Sequence, residues 1–281
     1  MSLQYHKIRK HPVIFVRLLG MEIKQFDLIC QKLEGLWLEE VTKKYKKHGR
    51  NYKLPLAEML MMMLMYYRTY NTQMQLGFMF GVDDSRVCRI IRLLEPLVAK
   101  IISIEKNREL SQQEVALLID VTEQPIERPK KGQKPYYSGK KKRHTIKTEM
   151  RINPEGKICA ISKCYPGKVH DFRIHKESDH LPDGTRIFAD SGYQGLKKRC
   201  RLAKIPFKGT KKKPLTKRQK SYNRALARRR IKVENVLAQL KCFKILAERY
   251  RNKRLRHNLK FNIIAGIINI KNGFYNKKLA S

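Results

Sequence analysis

The period of the apolar residues changes once along this chain, near residue 110, and that change constrains what it can fold into. Before it, Phe26 to Tyr45 and Leu54 to Tyr70 carry long apolar stretches that read as helices. After it, strand signals dominate. Val115 to Ile119 is a short apolar run ending in Asp120. His144 to Ile152 alternates, Asn153-Pro154-Glu155-Gly156 makes a turn, and Lys157 to Cys164 returns as a hairpin partner. A helix is expected from His170-Asp171-Phe172. A fourth strand spans Arg186 to Ala189 and ends in Asp190, and Ile205 to Phe207 reads as a short fifth. Lys217 to Phe243 forms one long helix, with Leu226, Val233, Leu237 and Leu240 on its apolar side. The order of strand, hairpin, helix, strand, short strand and long helix suits a mixed sheet with helices packed on it. The expected class is α+β or α/β, with a helical domain over residues 1–110 and a sheet domain over 111–281.

Charge then narrows the partners. The chain holds 63 Lys/Arg against 24 Asp/Glu, a net of +39, while 42% hydrophobic residues supply a core and exclude a disordered basic tail. So basic a globular chain repels itself unless a polyanion neutralises it, so nucleic acid is the expected partner. An anionic membrane is the weaker alternative, since the charge runs through most of the chain instead of along one amphipathic helix. Met59 to Tyr67 and Phe261 to Ile270 are too short to cross a bilayer, and the first residues have no signal-peptide character. Cys30, Cys88, Cys159, Cys164, Cys200 and Cys242 form no CxxC pair and read as reduced thiols of a cytosolic protein. The excess is uneven. Residues 1–110 hold 19 Lys/Arg and 11 Asp/Glu, a net of +8, and residues 111–281 carry the remaining +31. Arg128 to Lys147 has nine Lys/Arg and no acid, and reads as a flexible basic loop containing Lys140, Lys141 and Lys142.

In the helical part, a short apolar helix at Gln73 to Phe80 leads through Gly81-Val82-Asp83-Asp84 into a second helix, Ser85 to Leu94. This is a helix-turn-helix pattern, which plain helical hairpins also show. Val87, Ile91 and Leu94 share one face of the second helix, and Arg86, Arg89 and Arg92 fall away from it. Outward guanidinium groups there suit guanine edges or phosphates in a major groove. The Met-rich stretch from Met59 reads as core packing.

The acids are few enough to stand out. Two lie at the ends of apolar strands, Asp120 and Asp190. From Asp190 to Glu234 there is no other acid, while Lys197 to Lys232 holds seventeen Lys/Arg, and after Glu234 only Glu248 remains. Glu234 can be read as an ion-pair partner of Arg230, four residues earlier. It can also be read with Asp120 and Asp190 as a divalent-metal site. Two metal ions in a phosphodiester-cutting site activate the attacking oxygen and stabilise the leaving one, and hard carboxylate oxygens suit Mg²⁺. At 100° per residue, Arg230, Glu234 and Lys241 fall within about 40° of one another on the helix, so one face offers a carboxylate flanked by two phosphate-binding cations. Asp171 is a competing acid, either a helix N-cap or a group beside the metal. Glu123 reads as a loop residue, and Gly192 and Gly195 as turn residues.

Five stretches carry a family resemblance: Leu117-Leu118-Ile119-Asp120-Val121-Thr122-Glu123, Tyr137 to His144, Val169-His170-Asp171-Phe172, Ala189-Asp190-Ser191-Gly192-Tyr193-Gln194-Gly195, and Arg230-x-x-x-Glu234-x₆-Lys241. In this order and spacing, with the helix-turn-helix ahead of them, the chain resembles bacterial insertion-sequence transposases of the DDE superfamily over about residues 26 to 274. The resemblance implies an RNase H-like catalytic domain and a divalent metal, Mg²⁺ or Mn²⁺, as two ions. It also implies cutting and joining of double-stranded DNA at terminal inverted repeats. Carried over, Asp120, Asp190 and Glu234 are the catalytic and metal-holding carboxylates, and Arg230 and Lys241 are the basic members of the signature. The signature's tyrosine, three residues before the arginine, is replaced by Ala227, and the nearest tyrosine is Tyr222. Homodimers or larger assemblies on DNA, and a cytoplasmic, nucleoid-associated place, are implied in the same way. Two other readings stand beside this one: a DNA-binding protein without catalysis, such as a self-repressor or domesticated relative, and an RNA-binding protein explained by charge alone.

Overall fold

A computed structural model describes residues 2–44, 52–104, 116–178, 184–276 and 279. By its contacts the chain divides into two units, one of residues 1–103, 240–248 and 253–281, the other of 104–239 and 249–252. The sequence places the whole of 111–281 in one domain. The chain instead returns its last helix to the first unit.

That first unit is helical. It contains α1 (Tyr5–Ile8), α2 (Pro12–Leu19), α3 (Ile23–Lys44), α4 (Leu56–Thr69), α5 (Gln73–Phe80) and α6 (Asp84–Ile102). Every residue of α4 from Glu58 to Tyr67 is buried, so the Met-rich stretch is core, as its composition suggests. Thr72 caps α5 with a reciprocal Thr72/Gln75 box, Gly81 takes the left-handed conformation that ends α5, and the Asp83 side chain accepts from the Arg86 N–H to start α6. These are the two helices and turn read from the sequence. α6 runs past its expected end at Leu94, through Pro96, because Leu97, Val98, Ile101 and Ile102 continue its buried face.

The chain's last long helix, α10 (His257–Lys271), is buried on nearly every residue and belongs to the first unit. A buried carboxylate on α6 explains why. Glu95 accepts from the Tyr67 hydroxyl at 2.9 Å and pairs with Arg256 at 2.7 Å and Lys260 at 2.5 Å. A buried charge left unpaired is costly, so these two cations fix the start of α10 against α6. Gly266 lets the helices touch, since a Cβ there would strike the Ile102 carbonyl.

The second unit is a mixed sheet. β1 (Ala116–Pro125) pairs antiparallel with β3 (Arg143–Ile152) and parallel with β6 (Arg186–Phe188). β3 is further paired by β2 (Tyr137–Ser138), β5 (Tyr165–Pro166) and β4 (Ile158–Ile161). Helices α7 (Asp171–Glu177) and α8 (Lys217–Lys241) complete this mixed, RNase H-like sheet with helices on it. Ile119, Ile187 and Ala189 pack with Tyr193, Leu196, Ala203 and Ile205 as one apolar cluster.

Three local expectations are corrected. The basic loop is partly a hairpin: β2 pairs with Arg143 and His144, so Lys140, Lys141 and Lys142 form its exposed tip. The strand expected over Lys157 to Cys164 shortens to β4, opposite a bulge at Arg151/Ile152, and the two-residue β5 lies beyond its expected end. Ile205–Phe207 is no strand. Only Lys204 bridges Phe188, and the Phe207 backbone N–H and C=O both go to the Asn223 side chain on α8.

Candidate active site

The site begins with strand register. β1 and β6 run parallel, with Ala116 opposite Arg186, Leu117 opposite Ile187 and Leu118 opposite Phe188. β6 ends at Phe188, and Asp190 follows two residues on, in extended backbone at the start of the 3₁₀ turn Ser191–Tyr193, while Asp120 lies within β1, two residues past Leu118. Side chains alternate across a sheet, so Asp120 shares the face of Leu118, and Asp190 that of Phe188. Helix α8 covers this face: the Arg229 guanidinium lies 5.3 Å from the centre of the Phe188 ring. α8 starts with a reciprocal Thr216/Gln219 cap and buries Leu226, Val233, Val236 and Leu237.

Arg230, the next residue, joins the two aspartates. Its Nη1 lies 3.3 Å from Asp190 Oδ1 and its Nη2 3.5 Å from Asp120 Oδ2. The arginine side chain is 14% exposed, Asp120 22% and Asp190 50%. Arg230 Nε is buried and has no hydrogen-bond partner among the described residues. Asp120 Oδ1 also accepts the Val121 N–H at 2.8 Å. Burial pushes the Asp120 carboxyl above its ordinary range. The charges of Asp190 and Asp171 add to that, and Arg230 and the Val121 N–H oppose it.

Asp171 is the third carboxylate of the neighbourhood. It is the first residue of α7, and the cap is His170, whose ring nitrogen accepts from the Phe172 N–H, so the N-cap reading of Asp171 gives way. Lys147 on β3 donates to Asp171 Oδ1 at 2.9 Å and to the Val169 carbonyl at 3.0 Å. A Cβ on Gly192 would lie 3.1 Å from Asp171 Oδ2, and one on Gly195 3.0 Å from the Phe172 ring. Both are turn residues: Gly195 takes φ +97, and Gly192 lies in the 3₁₀ turn Ser191–Tyr193, where a Cβ would crowd the Asp171 carboxylate. Glu123 lies within β1 and accepts from Thr145 at 2.6 Å.

The structure therefore brings together Asp120, Asp190, Asp171 and Arg230. Glu234 lies one turn further along α8 and is exposed. Among the described residues no three His, Cys, Asp or Glu side chains converge as a metal site. The Asp120/Asp190 pair still fits a hard cation. Its donors are carboxylate oxygens close enough to share one guanidinium, which already stands between them as a positive group. Lys241 is the exposed last residue of α8 and falls in the first unit. Ala227 is exposed and Tyr222 packs edge-on against Phe207 at 5.1 Å, so neither supplies the signature's hydroxyl to the aspartates. In the first unit, Arg86 and Arg89 are exposed at the start of α6, with Arg86 beside Asp83 and Arg89 donating to Ser85. Sequence reasoning missed Glu149, His175 and Tyr193, which form a buried polar cluster behind the aspartates. The one available signal was an acid, Glu149, inside an alternating strand.

Comparison with known proteins bears on the same residues. A family model described as DDE superfamily endonuclease matches residues 119–270, and one described as the helix-turn-helix of DDE superfamily endonuclease matches 52–103. A Microchaete diplosiphon protein named "Probable transposase for insertion sequence element IS702" is 41% identical over 261 residues, covering 91% of this chain and 93% of that protein. A Streptomyces albus G protein named "Putative transposase for insertion sequence element IS112" is 25% identical, over 90% and 91% of the two chains. No solved structure matches.

Proposed function

Because the chain belongs to the DDE superfamily and is a DNA transposase, we propose that Asp120, Asp190 and Glu234 are the carboxylates at which it cuts and joins DNA. The observation that carries the reading is that Asp120, on β1, and Asp190, two residues past the end of the parallel strand β6, come within reach of one guanidinium, that of Arg230 on a basic helix. These carboxylates would hold divalent metal, Mg²⁺ or Mn²⁺ as two ions, which when bound lowers the pKa of water and stabilises charge on phosphate oxygens.

The chain's own residues do the rest. Arg230 neutralises the aspartate pair in the free protein and turns to a DNA phosphate when the duplex arrives. Lys241, Lys140, Lys141 and Lys142 hold the DNA backbone, since phosphate contacts position a duplex without reading it. Arg86 and Arg89 enter the major groove of the terminal inverted repeat through the helix-turn-helix. Asp171, neutralised by Lys147, orients groups beside the metal. Hydrolysis frees a 3′-hydroxyl at each element end, and that hydroxyl attacks target DNA at a staggered pair of sites. Joining two ends calls for two active sites, so the working form is a homodimer or larger assembly on DNA, in the cytoplasm at the nucleoid. The helical unit is the DNA-reading domain and the sheet unit the catalytic one.

The test is incubation with the element's end DNA and Mg²⁺. Nicking by wild type, abolished in Asp120→Ala and Glu234→Ala, is expected. Equal nicking by those variants would remove the carboxylates from the mechanism, and binding without any nicking would make the protein a DNA-binding relative without catalysis.

A further inference from the structure

Among the described residues Glu149 is the most deeply buried acid of the sheet unit, with none of its side chain exposed. It sits on β3 opposite Val121, one register step from Asp120, which faces Met150. Three groups surround its carboxylate. Arg151 Nε donates at 2.9 Å, the Tyr193 hydroxyl at 3.2 Å, and His175 Nδ1 lies 3.3 Å away. The His175 and Tyr193 rings meet edge-on at 6.0 Å. Burial alone would raise the Glu149 carboxyl, but the His175 hydrogen bond and the Arg151 charge together hold it below the usual range, so it stays charged.

The partners come from informative places. Tyr193 lies three residues after Asp190, in the short 3₁₀ turn Ser191–Tyr193 that follows β6. His175 lies four residues after Asp171, one turn along α7. A strand of three residues and a helix of seven have few backbone bonds of their own with which to hold a carboxylate in place. The aspartates they carry also repel the one on β1: the Asp190 and Asp171 charges both push the Asp120 carboxyl upward. A buried charged acceptor offsets this repulsion, because its donors are far costlier to remove than those of an exposed group.

We infer that Glu149 is a positioning residue of the active site, a buried hub that ties the segments carrying Asp171 and Asp190 to the strand beside Asp120. It touches neither substrate nor metal. It acts through Tyr193 and His175. This rests on the reading of Asp120 and Asp190 as metal carboxylates.

The test uses the full chain with Glu149→Gln and Tyr193→Phe, with Asp120→Asn as a control. Two quantities are read: Mn²⁺ affinity by electron paramagnetic resonance without DNA, and hydrogen exchange over residues 171–177 and 190–193. Both hub variants are expected to weaken Mn²⁺ binding about tenfold, as loss of a group supporting metal ligands does, and to speed exchange in both segments while α10 keeps its protection. Unchanged Mn²⁺ affinity in folded Tyr193→Phe, or exchange that rises equally everywhere, overturns the inference and leaves Glu149 an ordinary core ion pair. If Glu149→Gln does not fold, Tyr193→Phe alone decides. If Asp120→Asn leaves Mn²⁺ binding unchanged, the metal reading falls instead, and exchange in the two segments still decides whether the tether exists.

Discussion

Replacing Arg230 with glutamine removes the one cation among the described residues that spans Asp120 and Asp190. At a separation near 3.4 Å and an effective dielectric of 20, each contact carries about 5 kcal/mol of gross attraction. Most of that is offset by the desolvation of the charges. The Asp190 contact is half exposed, so solvent reduces it to about 1 kcal/mol or less. The Asp120 contact is better shielded and contributes more. A net loss of about 2 kcal/mol is expected, or roughly 4–8 °C in melting temperature for a chain of this size. The two carboxylates then face one another without a cation between them. Divalent metal, which in the wild type must displace the guanidinium, should bind the DNA-free variant about tenfold more tightly, a difference of about 1.4 kcal/mol. Thermal melts followed by circular dichroism, with and without millimolar Mg²⁺, measure both effects. Mg²⁺ should restore most of the lost stability in the variant and add less to the wild type. A variant as stable as wild type, or a wild type that gains more from Mg²⁺ than the variant does, refutes the idea that Arg230 stands in for the metal. DNA nicking should still fall in the variant, because its phosphate contact is gone.

His257 is buried at the start of α10 with its pKa lowered from 6.5 to about 4, chiefly by burial and secondarily by Lys260. The unfolded chain therefore takes up the proton first as pH falls, and stability drops between pH 6.5 and 4. Urea titrations at pH 7 and pH 5 should differ by about 2 kcal/mol from this group, and His257→Gln should flatten that part of the difference. Gly266→Ala drives a methyl into the Ile102 carbonyl and should cost about 3 kcal/mol, read as a lower urea midpoint at constant slope; an unchanged midpoint would contradict the α6–α10 contact. Arg86→Ala and Arg89→Ala should each weaken binding to the inverted repeat. A substitution that touches only a phosphate lowers the salt slope by about 1 and weakens all sequences alike, whereas a base-reading arginine loses about 1–3 kcal/mol of discrimination at one base pair.

Much of this was legible before any coordinates. The helix-turn-helix reads from its turn chemistry, because Thr72, Gly81 and Asp83 act on the backbone within a few residues of themselves. β1 and β6 read from apolar runs that stop at an aspartate. Arg230 and Glu234 read from one helical face. What did not read are contacts between groups far apart in sequence whose partners carry no local mark. Arg230 reaches aspartates 40 and 110 residues away in place of its helical neighbour Glu234. Glu149 looks like any acid on a strand until the fold brings His175 and Tyr193 to it. The last helix joins the first unit because its cations answer a glutamate some 160 residues earlier.

The sequence by itself determined most of the elements, the family, and nucleic acid as the partner. Periodicity, capping and a net charge of +39 act through near neighbours or through sums, and both survive without a fold. The tertiary structure alone decided which charges meet. Burial raises the cost of an unpaired charge from almost nothing in water to several kcal/mol. Pairings that are optional in the open chain therefore become favoured once β1, β3 and β6 come together, most strongly where the charge is fully buried, as at Glu149. Arg230 between two aspartates, Lys147 on Asp171 and three donors around Glu149 are the results.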